Sequence, residues 1–333
     1  MTKCLIIGSG IVGLSTANQL IKNNFQITIV DAEKKGQASR SAAGLLFPLN
    51  PWTNTEYLQN LCMSGHADYM NFFDNLILED KKKLNFYQKD LIIFGKNLQK
   101  AKKWYENKTF VESNFFNGLV NELEKNIKDE YKNYLVIKNI NIIDPRSLID
   151  FYKIKLKKCN VIFKKENIEN LSNLLKEPKY KIYDYIIITT GAWSNDLIKN
   201  EKIKVKPIKG QLLNFKSSKK ILNNILLFDD YYIIPRDKNN ITIGSTIEDV
   251  GFDSELTLSA YTYLKNSLSK LFSNEIQLQN IQQTFGFRPF SYDNKPYINF
   301  DKKDKRIIYN FGHYRYGILT AISSAKIVND LIT

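Results

Sequence analysis

A glycine-rich turn between a strand and a helix constrains this chain more than any other feature. The apolar run 4–7 is followed at once by Gly8-Ser9-Gly10-Ile11-Val12-Gly13, and apolar residues then recur at helical spacing. A second apolar run, 27–30, ends on Asp31, eighteen residues after the last glycine. A G-x-G-x-x-G sequence alone is weak evidence, but the strand, the helix and the acid together predict a dinucleotide site.

Each part of this unit has a physical role. Gly8 permits the tight turn, Gly10 lets the backbone approach a pyrophosphate, and Gly13 lets the helix lie close to the strand. The helix N-terminus, with Ile11 and Val12, offers N–H groups and a positive dipole end to the phosphates, and Asp31 can accept hydrogen bonds from a ribose. The alternative, that the glycines serve only a tight turn, does not explain the acid.

Length and charge limit the class of protein. A chain of 333 residues predicts two domains. The net charge of +14 is compatible with nucleic-acid binding, but the lysines are scattered along the chain, which favours a solvated lysine surface.

Three widely spaced cysteines without a C-x-x-C motif fit a reducing cytoplasm and predict no metal site. The early first strand predicts no signal peptide, and no apolar run approaches membrane-spanning length.

Arginine is scarce and therefore informative. Only six of the 48 basic residues are arginine. The chain uses lysine wherever a positive charge is enough, whereas arginine adds a planar fork that holds a carboxylate with two hydrogen bonds. The six arginines are thus candidates for anion binding: Arg40, Arg146, Arg236, Arg288, Arg306 and Arg315.

The remaining patterns predict an α/β fold in which an antiparallel region interrupts a parallel sheet. Helices are expected at 55–78, over the lysine-rich region 96–132, after Asp144-Pro145 and at 316–332. Strands are expected as two short pieces within 84–95 and at 161–163, 185–189, 211–215, 231–235, 241–244 and 307–311.

Several further stretches match the motifs of one family in the family's own order. They are SAAGLLFP at 41–48, TTGAWS at 189–194, VKPIKGQ at 205–211, YIIPR at 232–236 with GST at 244–246 and GFD at 251–253, GFRP at 286–289 and GHYRYGIL at 312–319. Together they resemble the D-amino-acid oxidase superfamily, most closely the bacterial glycine oxidases of thiamine biosynthesis. The chain departs from that pattern at Tyr316, where the family usually has asparagine.

The resemblance implies a fold and a cofactor. It implies an FAD-binding Rossmann-like domain (1–47, 140–204 and 301–333) and a substrate-binding domain built on an antiparallel β-sheet (48–139 and 205–300). By the same resemblance, FAD contacts are expected from the glycine-rich unit (Gly8, Gly10, Ile11, Val12, Gly13 and Asp31) and from Ser39, Arg40, Ala43, Gly44, Leu45, Ile168, Gly191, Trp193, Gly312, Tyr314, Arg315, Gly317 and Ile318.

A substrate carboxylate in a closed pocket needs a charged partner with two donors. Arg288 is the leading candidate, Tyr232 can add a hydroxyl donor, and Arg315 is expected at the pocket mouth. The alternative is that Arg288 forms a structural ion pair. His313 is expected to be structural or close to the cofactor, and no catalytic triad surrounds it.

The implied reaction is the oxidative deamination of a small amino acid such as glycine. Hydride transfer to flavin N5 gives an imino acid, and hydrolysis and reoxidation by oxygen give a 2-oxo acid, ammonia and hydrogen peroxide. This scheme needs no protein base, because the cofactor performs the difficult step.

Other assignments stay open at this stage. The enzyme could be a D-amino-acid or N-methylglycine dehydrogenase with another electron acceptor, or a tRNA-modifying flavoprotein, whose RNA binding would depend steeply on salt. A cytoplasmic protein without nucleic-acid or membrane partners is expected, and a homo-oligomer stays open.

Overall fold

The computed structural model describes residues 1–106, 108, 111–199 and 202–333. Within these residues the chain forms two β-sheets, one of six strands and one of eight. The strands are β1 (Lys3–Ile7), β2 (Gln26–Asp31), β3 (Tyr87–Phe94), β4 (Ser113–Leu119), β5 (Lys132–Ile142), β6 (Ile162–Lys165), β7 (Tyr185–Ile188), β8 (Val205–Ser217), β9 (Ile225–Phe228), β10 (Tyr231–Pro235), β11 (Asn240–Gly244), β12 (Leu278–Ser291), β13 (Tyr297–Phe300) and β14 (Ile307–Phe311). The α-helices are α1 (Ile11–Leu20), α2 (Ala38–Ser41), α3 (Glu56–Asp74), α4 (Leu78–Lys83), α5 (Leu98–Tyr105), α6 (Pro145–Lys158), α7 (Leu171–Leu174), α8 (Ser194–Ile198), α9 (Leu258–Leu271) and α10 (Gly317–Ile332).

The six-stranded sheet has the order β13-β14-β7-β1-β2-β6. All its pairs are parallel except the pair of β13 with β14. Side chains alternate across β1, so that Cys4 and Ile6 pack on one face while Leu5 and Ile7 pack on the other. Both faces are buried, which explains the continuous apolar run of β1.

The eight-stranded sheet has the order β12-β8-β11-β10-β9-β3-β5-β4. Its pairs are antiparallel except that β3 runs parallel to β9. The hairpin of β10 and β11 lies in this sheet, as the sequence predicts. Near the end of β12, Phe287 donates its N–H to the carbonyl of Gly36, 2.9 Å away, and so connects this sheet to the segment that follows β2.

Some predicted elements were wrong in detail. Within the described part of 96–132, residues 98–105 form the helix α5 and residues 113–119 form the edge strand β4, which pairs with β5. The stretch 84–95 contains one strand, β3 (Tyr87–Phe94), instead of two. β13 lies within 205–300 and pairs with β14 of the six-stranded sheet. The position of the domain boundary stays a prediction.

The helix start at Asp144 is confirmed. The Asp144 side chain accepts a hydrogen bond from the backbone N–H of Arg146, and Pro145 occupies the first turn of α6. Within the described residues, every helix is too short or too polar to traverse a lipid bilayer.

Candidate active site

A continuous cavity of about 520 Å³ is lined by residues from both sheets. Its lining includes Asp31, Ile168 and the turn at Gly10, together with Tyr232 and Arg288 of the eight-stranded sheet. A cavity of this size suits an organic ligand.

The turn before α1 leaves room for a ligand beside its backbone. Gly10 is the residue that precedes α1, and a methyl group at its Cα would meet only Ser39 Oγ, 3.3 Å away. Gly13 differs, since a methyl group there would lie 2.1 Å from the carbonyl oxygen of Gly8. Gly10 therefore opens the cavity, whereas Gly13 permits close packing of the helix on the strand.

The carboxylate of Asp31 is held firmly at the cavity wall. Its Oδ2 accepts from the N–H of Ser9 at 2.5 Å, and its Oδ1 accepts from the N–H of Glu33 at 2.6 Å and from Gln37 Nε2 at 3.1 Å. A carboxylate has about four acceptor positions. Asp31 is thus oriented and still has capacity for a ligand hydroxyl.

Nearly all residues expected at the cofactor line this cavity: Gly8, Gly10, Ile11, Val12, Asp31, Ser39, Ala43, Gly44, Leu45, Ile168, Gly191, Trp193, Gly312, Tyr314, Arg315, Gly317 and Ile318. Gly13 and Arg40 are outside its lining. Arg40 is exposed and borders a separate shallow pocket with Lys35 and Lys153.

Arg236, one of the six arginines but not among the residues expected at FAD or substrate, ties the loop at 43–45 to the eight-stranded sheet. Its Nη2 donates to the Ala43 carbonyl at 2.5 Å, and its Nε donates to Thr242 Oγ1 at 3.1 Å. The family-like motif at 232–236 was a signal for it. The loop that borders the cavity thereby has a fixed position relative to Tyr232.

His313 lies buried at the start of the last helix, within a chain of hydrogen bonds. Its Nε2 lies 3.0 Å from Asn310 Oδ1, and its Nδ1 lies 2.9 Å from Thr320 Oγ1. The Asn310 amide nitrogen donates to Thr16 Oγ1, so its oxygen faces the histidine. Nε2 therefore donates to Asn310 Oδ1. The Thr320 hydroxyl beside Nδ1 donates to the Tyr316 carbonyl at 2.9 Å.

We expect His313 to make the folded protein less stable in acid. Burial lowers its pKa to about 3, whereas an unfolded histidine has a pKa of about 6.5. Below pH 6.5 this histidine binds a proton in the unfolded chain but not in the folded protein. The stability that comes from keeping His313 neutral is therefore complete above pH 6.5 and is lost as the pH falls towards 3. Between pH 7 and pH 5 the free energy of unfolding should fall by about 2 kcal/mol because of His313.

The measurement is urea unfolding of wild type and His313→Gln at both pH values, at fixed FAD concentration. The variant should lose about 2 kcal/mol less than the wild type over this interval. Equal losses would show that His313 is not responsible.

Arg288 extends from β12 into the cavity without an acidic partner. Its Nη1 donates to the Thr246 carbonyl at 3.0 Å and its Nη2 donates to Ser245 Oγ at 2.6 Å. Among the described residues, no carboxylate lies within 4.0 Å of this guanidinium. The structural ion pair considered as an alternative is therefore not observed, and the charge of Arg288 remains available to a ligand.

The surroundings of Arg288 combine one cation, two phenols and one carboxylate that lies beyond ion-pair distance. Burial and the charge of Arg315 lower the pKa of Arg288, while Tyr232, Tyr314 and Glu248 raise it. Arg315 itself is exposed, with its guanidinium carbon 5.3 Å from the centre of the Tyr314 ring. Arg288 and Arg315 both line the cavity, so an anion bound beside them would be attracted by two positive charges.

Gly210 makes the position of Arg288 possible, and sequence reasoning missed it. Gly210 lies on β8 opposite Gly286 of β12. A methyl group at Gly210 would lie 2.0 Å from Arg288 Nη2, so any larger residue would displace the guanidinium. The glycine in the motif at 205–211 was the available signal.

Tyr316 occupies the place where the family usually has asparagine. Its hydroxyl donates to the Leu49 carbonyl at 2.9 Å and lies 3.4 Å from Asn54 Oδ1. Burial raises the pKa of Tyr316 to about 12, so it remains a neutral donor. Tyr316 also lines the cavity.

The parallel sheet with its glycine turn, joined to a second sheet that provides an unpaired cation, defines the class of two-domain dinucleotide-dependent oxidoreductases. Residues 3–331 match the model of the FAD dependent oxidoreductase family, DAO, and the chain belongs to that family. Its cofactor is FAD. The resemblance to the D-amino-acid oxidase superfamily and the fold expected from it are confirmed.

Full-length relatives support the same family. The chain is 24% identical to the glycine oxidase of Pseudomonas aeruginosa and 25% identical to that of Pseudomonas putida, over 99% of this chain and 94% of each relative. The solved structure of glycine oxidase from Geobacillus kaustophilus superposes with a TM-score of 0.84 at 20% identity, covering 99% of this chain and 95% of that one.

Proposed function

We propose that this protein oxidises a small amino acid, glycine or a close analogue, to an imino acid that hydrolyses to a 2-oxo acid and ammonia. Oxygen is the proposed electron acceptor, with hydrogen peroxide as the second product. The observation that supports a carboxylate substrate is the part-buried Arg288, which faces the cavity without an acidic partner. The similarity to glycine oxidases supports the substrate class.

The cavity residues that we propose to hold FAD fall into three groups. The turn at Gly8, Gly10, Ile11 and Val12, with Ser39, faces the pyrophosphate, because N–H groups at the start of a helix attract phosphate. Asp31 and Ile168 face the adenosine. The loop at 43–45, Gly191 and Trp193 and the segment 312–318 enclose the flavin, and we propose no such contact for Arg40.

Arg288 and Tyr232 would hold the substrate carboxylate. The guanidinium supplies two parallel donors and the phenol supplies a third. This arrangement would hold the α-carbon of the substrate in one orientation toward the cofactor, so that the reaction does not depend on a random collision with the correct geometry. Arg315, beside the same end of the cavity, favours the approach of the anion.

FAD, when bound, supplies the two-electron acceptor for the α C–H bond. The protein does not need to supply a base for the C–H proton. His313 could not serve as one, since both its nitrogens are engaged and burial lowers its pKa to about 3. The substrate amine would lose its ammonium proton to solvent before oxidation.

Anaerobic mixing of the holoenzyme with amino acids tests this proposal. Glycine or a similarly small amino acid should abolish the oxidised flavin absorbance, and oxygen should restore it with one peroxide per turnover. Amines of the same size without a carboxylate should react poorly. Flavin that stays oxidised with every amino acid would contradict the proposal, whereas reduction without peroxide on reoxidation would indicate another acceptor.

A further inference from the structure

The position of the Arg288 guanidinium depends on the segment that follows β11. Both of its acceptors, the Ser245 hydroxyl and the Thr246 carbonyl, belong to that segment. These acceptors are neutral, so they orient the guanidinium without cancelling its charge. Whatever fixes Thr246 therefore also fixes the donors of Arg288.

Thr246 is fixed by Gln211 and Glu248. Gln211 donates its N–H to Thr246 Oγ1 at 2.8 Å, and Thr246 donates its N–H to the Gln211 carbonyl at 3.1 Å. The Thr246 hydroxyl donates to the carboxylate of Glu248. Gln211 Nε2 donates to both carboxylate oxygens, at 2.9 and 3.0 Å. The three residues form a closed ring of hydrogen bonds, in which Gln211 is completely buried.

The charge of Glu248 is balanced by a residue other than Arg288. Lys209 is completely buried, and its Nζ lies 3.8 Å from Glu248 and 2.9 Å from Asp253. The backbones of Lys209 and Glu248 also exchange two hydrogen bonds of 2.9 Å. Buried charges require partners. Lys209 forms its close ion pair with Asp253, and its positive charge also lies beside the carboxylate of Glu248.

We propose that Glu248 is a positioning residue for substrate binding, which acts through Thr246 on Arg288. The inference rests on the proposed function, in which Arg288 binds the substrate carboxylate. It gives a role to the motifs at 205–211, 244–246 and 251–253, whose polar side chains meet in this network.

Small changes of side chain distinguish a role of Glu248 in positioning Arg288 from a role in the stability of the fold. Thr246→Val removes the hydroxyl that joins Glu248 to Gln211, whereas Thr246→Ser keeps it. Glu248→Gln keeps the shape and removes the charge. We expect Thr246→Val and Glu248→Gln to raise KM for the amino acid about tenfold and to change kcat by less than about twofold. Thr246→Ser should remain within about twofold of the wild type.

Acetate binding to the oxidised holoenzyme, followed by the flavin spectrum, provides a readout without turnover. Its Kd should rise about tenfold in Thr246→Val and Glu248→Gln and stay nearly unchanged in Thr246→Ser. A lower Tm with unchanged KM and acetate Kd would overturn the inference, because it would show a structural role only. If Thr246→Val does not fold, the KM for the amino acid and the acetate Kd of Glu248→Gln and Glu248→Asp test the inference instead.

The acetate titration of Arg288→Lys distinguishes a failure of the proposed substrate site from a failure of the positioning role of Glu248. If Arg288→Lys leaves acetate and amino-acid binding unchanged, the proposed substrate site is wrong and this inference is wrong with it. If Arg288→Lys weakens binding while Glu248→Gln and Thr246→Val do not, the substrate site stands and the positioning role of Glu248 is overturned.

Discussion

Replacement of Arg288 by lysine should lower kcat/KM for the amino-acid substrate by the equivalent of about 2–5 kcal/mol. Lysine keeps the charge but loses the planar pair of donors. Its ammonium also cannot reach Thr246 and Ser245 in the geometry that the guanidinium uses. The measurement is steady-state peroxide formation across a range of substrate concentrations, together with flavin content.

Arg306→Lys is the matched control, because Arg306 pairs with Asp304 on the surface at 2.7 Å. It should leave kcat/KM unchanged. Amines without a carboxylate should be poor substrates of the wild type and lose little more in Arg288→Lys. Unchanged glycine turnover together with lower thermal stability in Arg288→Lys would show that the substrate site lies elsewhere.

Replacement of Gly10 by valine should give a folded but colourless protein. The backbone of Gly10 has φ −67° and ψ 175°, which valine adopts without strain, and only Ser39 Oγ lies near the added carbon. The new side chain would instead fill the space expected for the pyrophosphate. Absorbance at the flavin band and FAD titration of the purified variant measure the effect.

Two comparisons sharpen this experiment. Gly118→Val places the same side chain on the edge strand β4, where Glu122 is the nearest neighbour, and should keep FAD. Gly13→Val should lose the fold itself, because the added carbon would overlap the Gly8 carbonyl. A yellow, active Gly10→Val variant would refute the placement of the cofactor.

The sequence was most informative where structure is local. The β1–α1 turn, the start of α6 at Asp144 and the strand β14 depend on residues within a few positions of one another, and their patterns predicted them. The edge strand β4 was missed because the segments on either side of it are rich in lysine and glutamate and suggested a helix. Its pairing with β5 is a contact between different segments of the chain. Composition does not report such pairing.

The same division applies to the site. Scarcity of arginine and one motif were enough to single out Arg288. Gly210 and Glu248 were not identified, since their importance comes from residues far along the chain: Gly210 meets Arg288, and Glu248 meets Lys209 and Gln211. Sequence spacing contains no information on which neighbours a second sheet supplies.

The placement of β14 bears on when the enzyme can mature during synthesis. β14 pairs with the interior strand β7, and α10 begins six residues after β14 ends. A ribosome that has released only the first 300 residues thus holds a parallel sheet with an open edge at β7 and a cofactor cavity that lacks its wall at 312–318. Capture of FAD should therefore wait until the segment 307–318 has left the ribosome. Until then, apolar Ile186 and Ile188 lack their contacts with β14 and are available to chaperones.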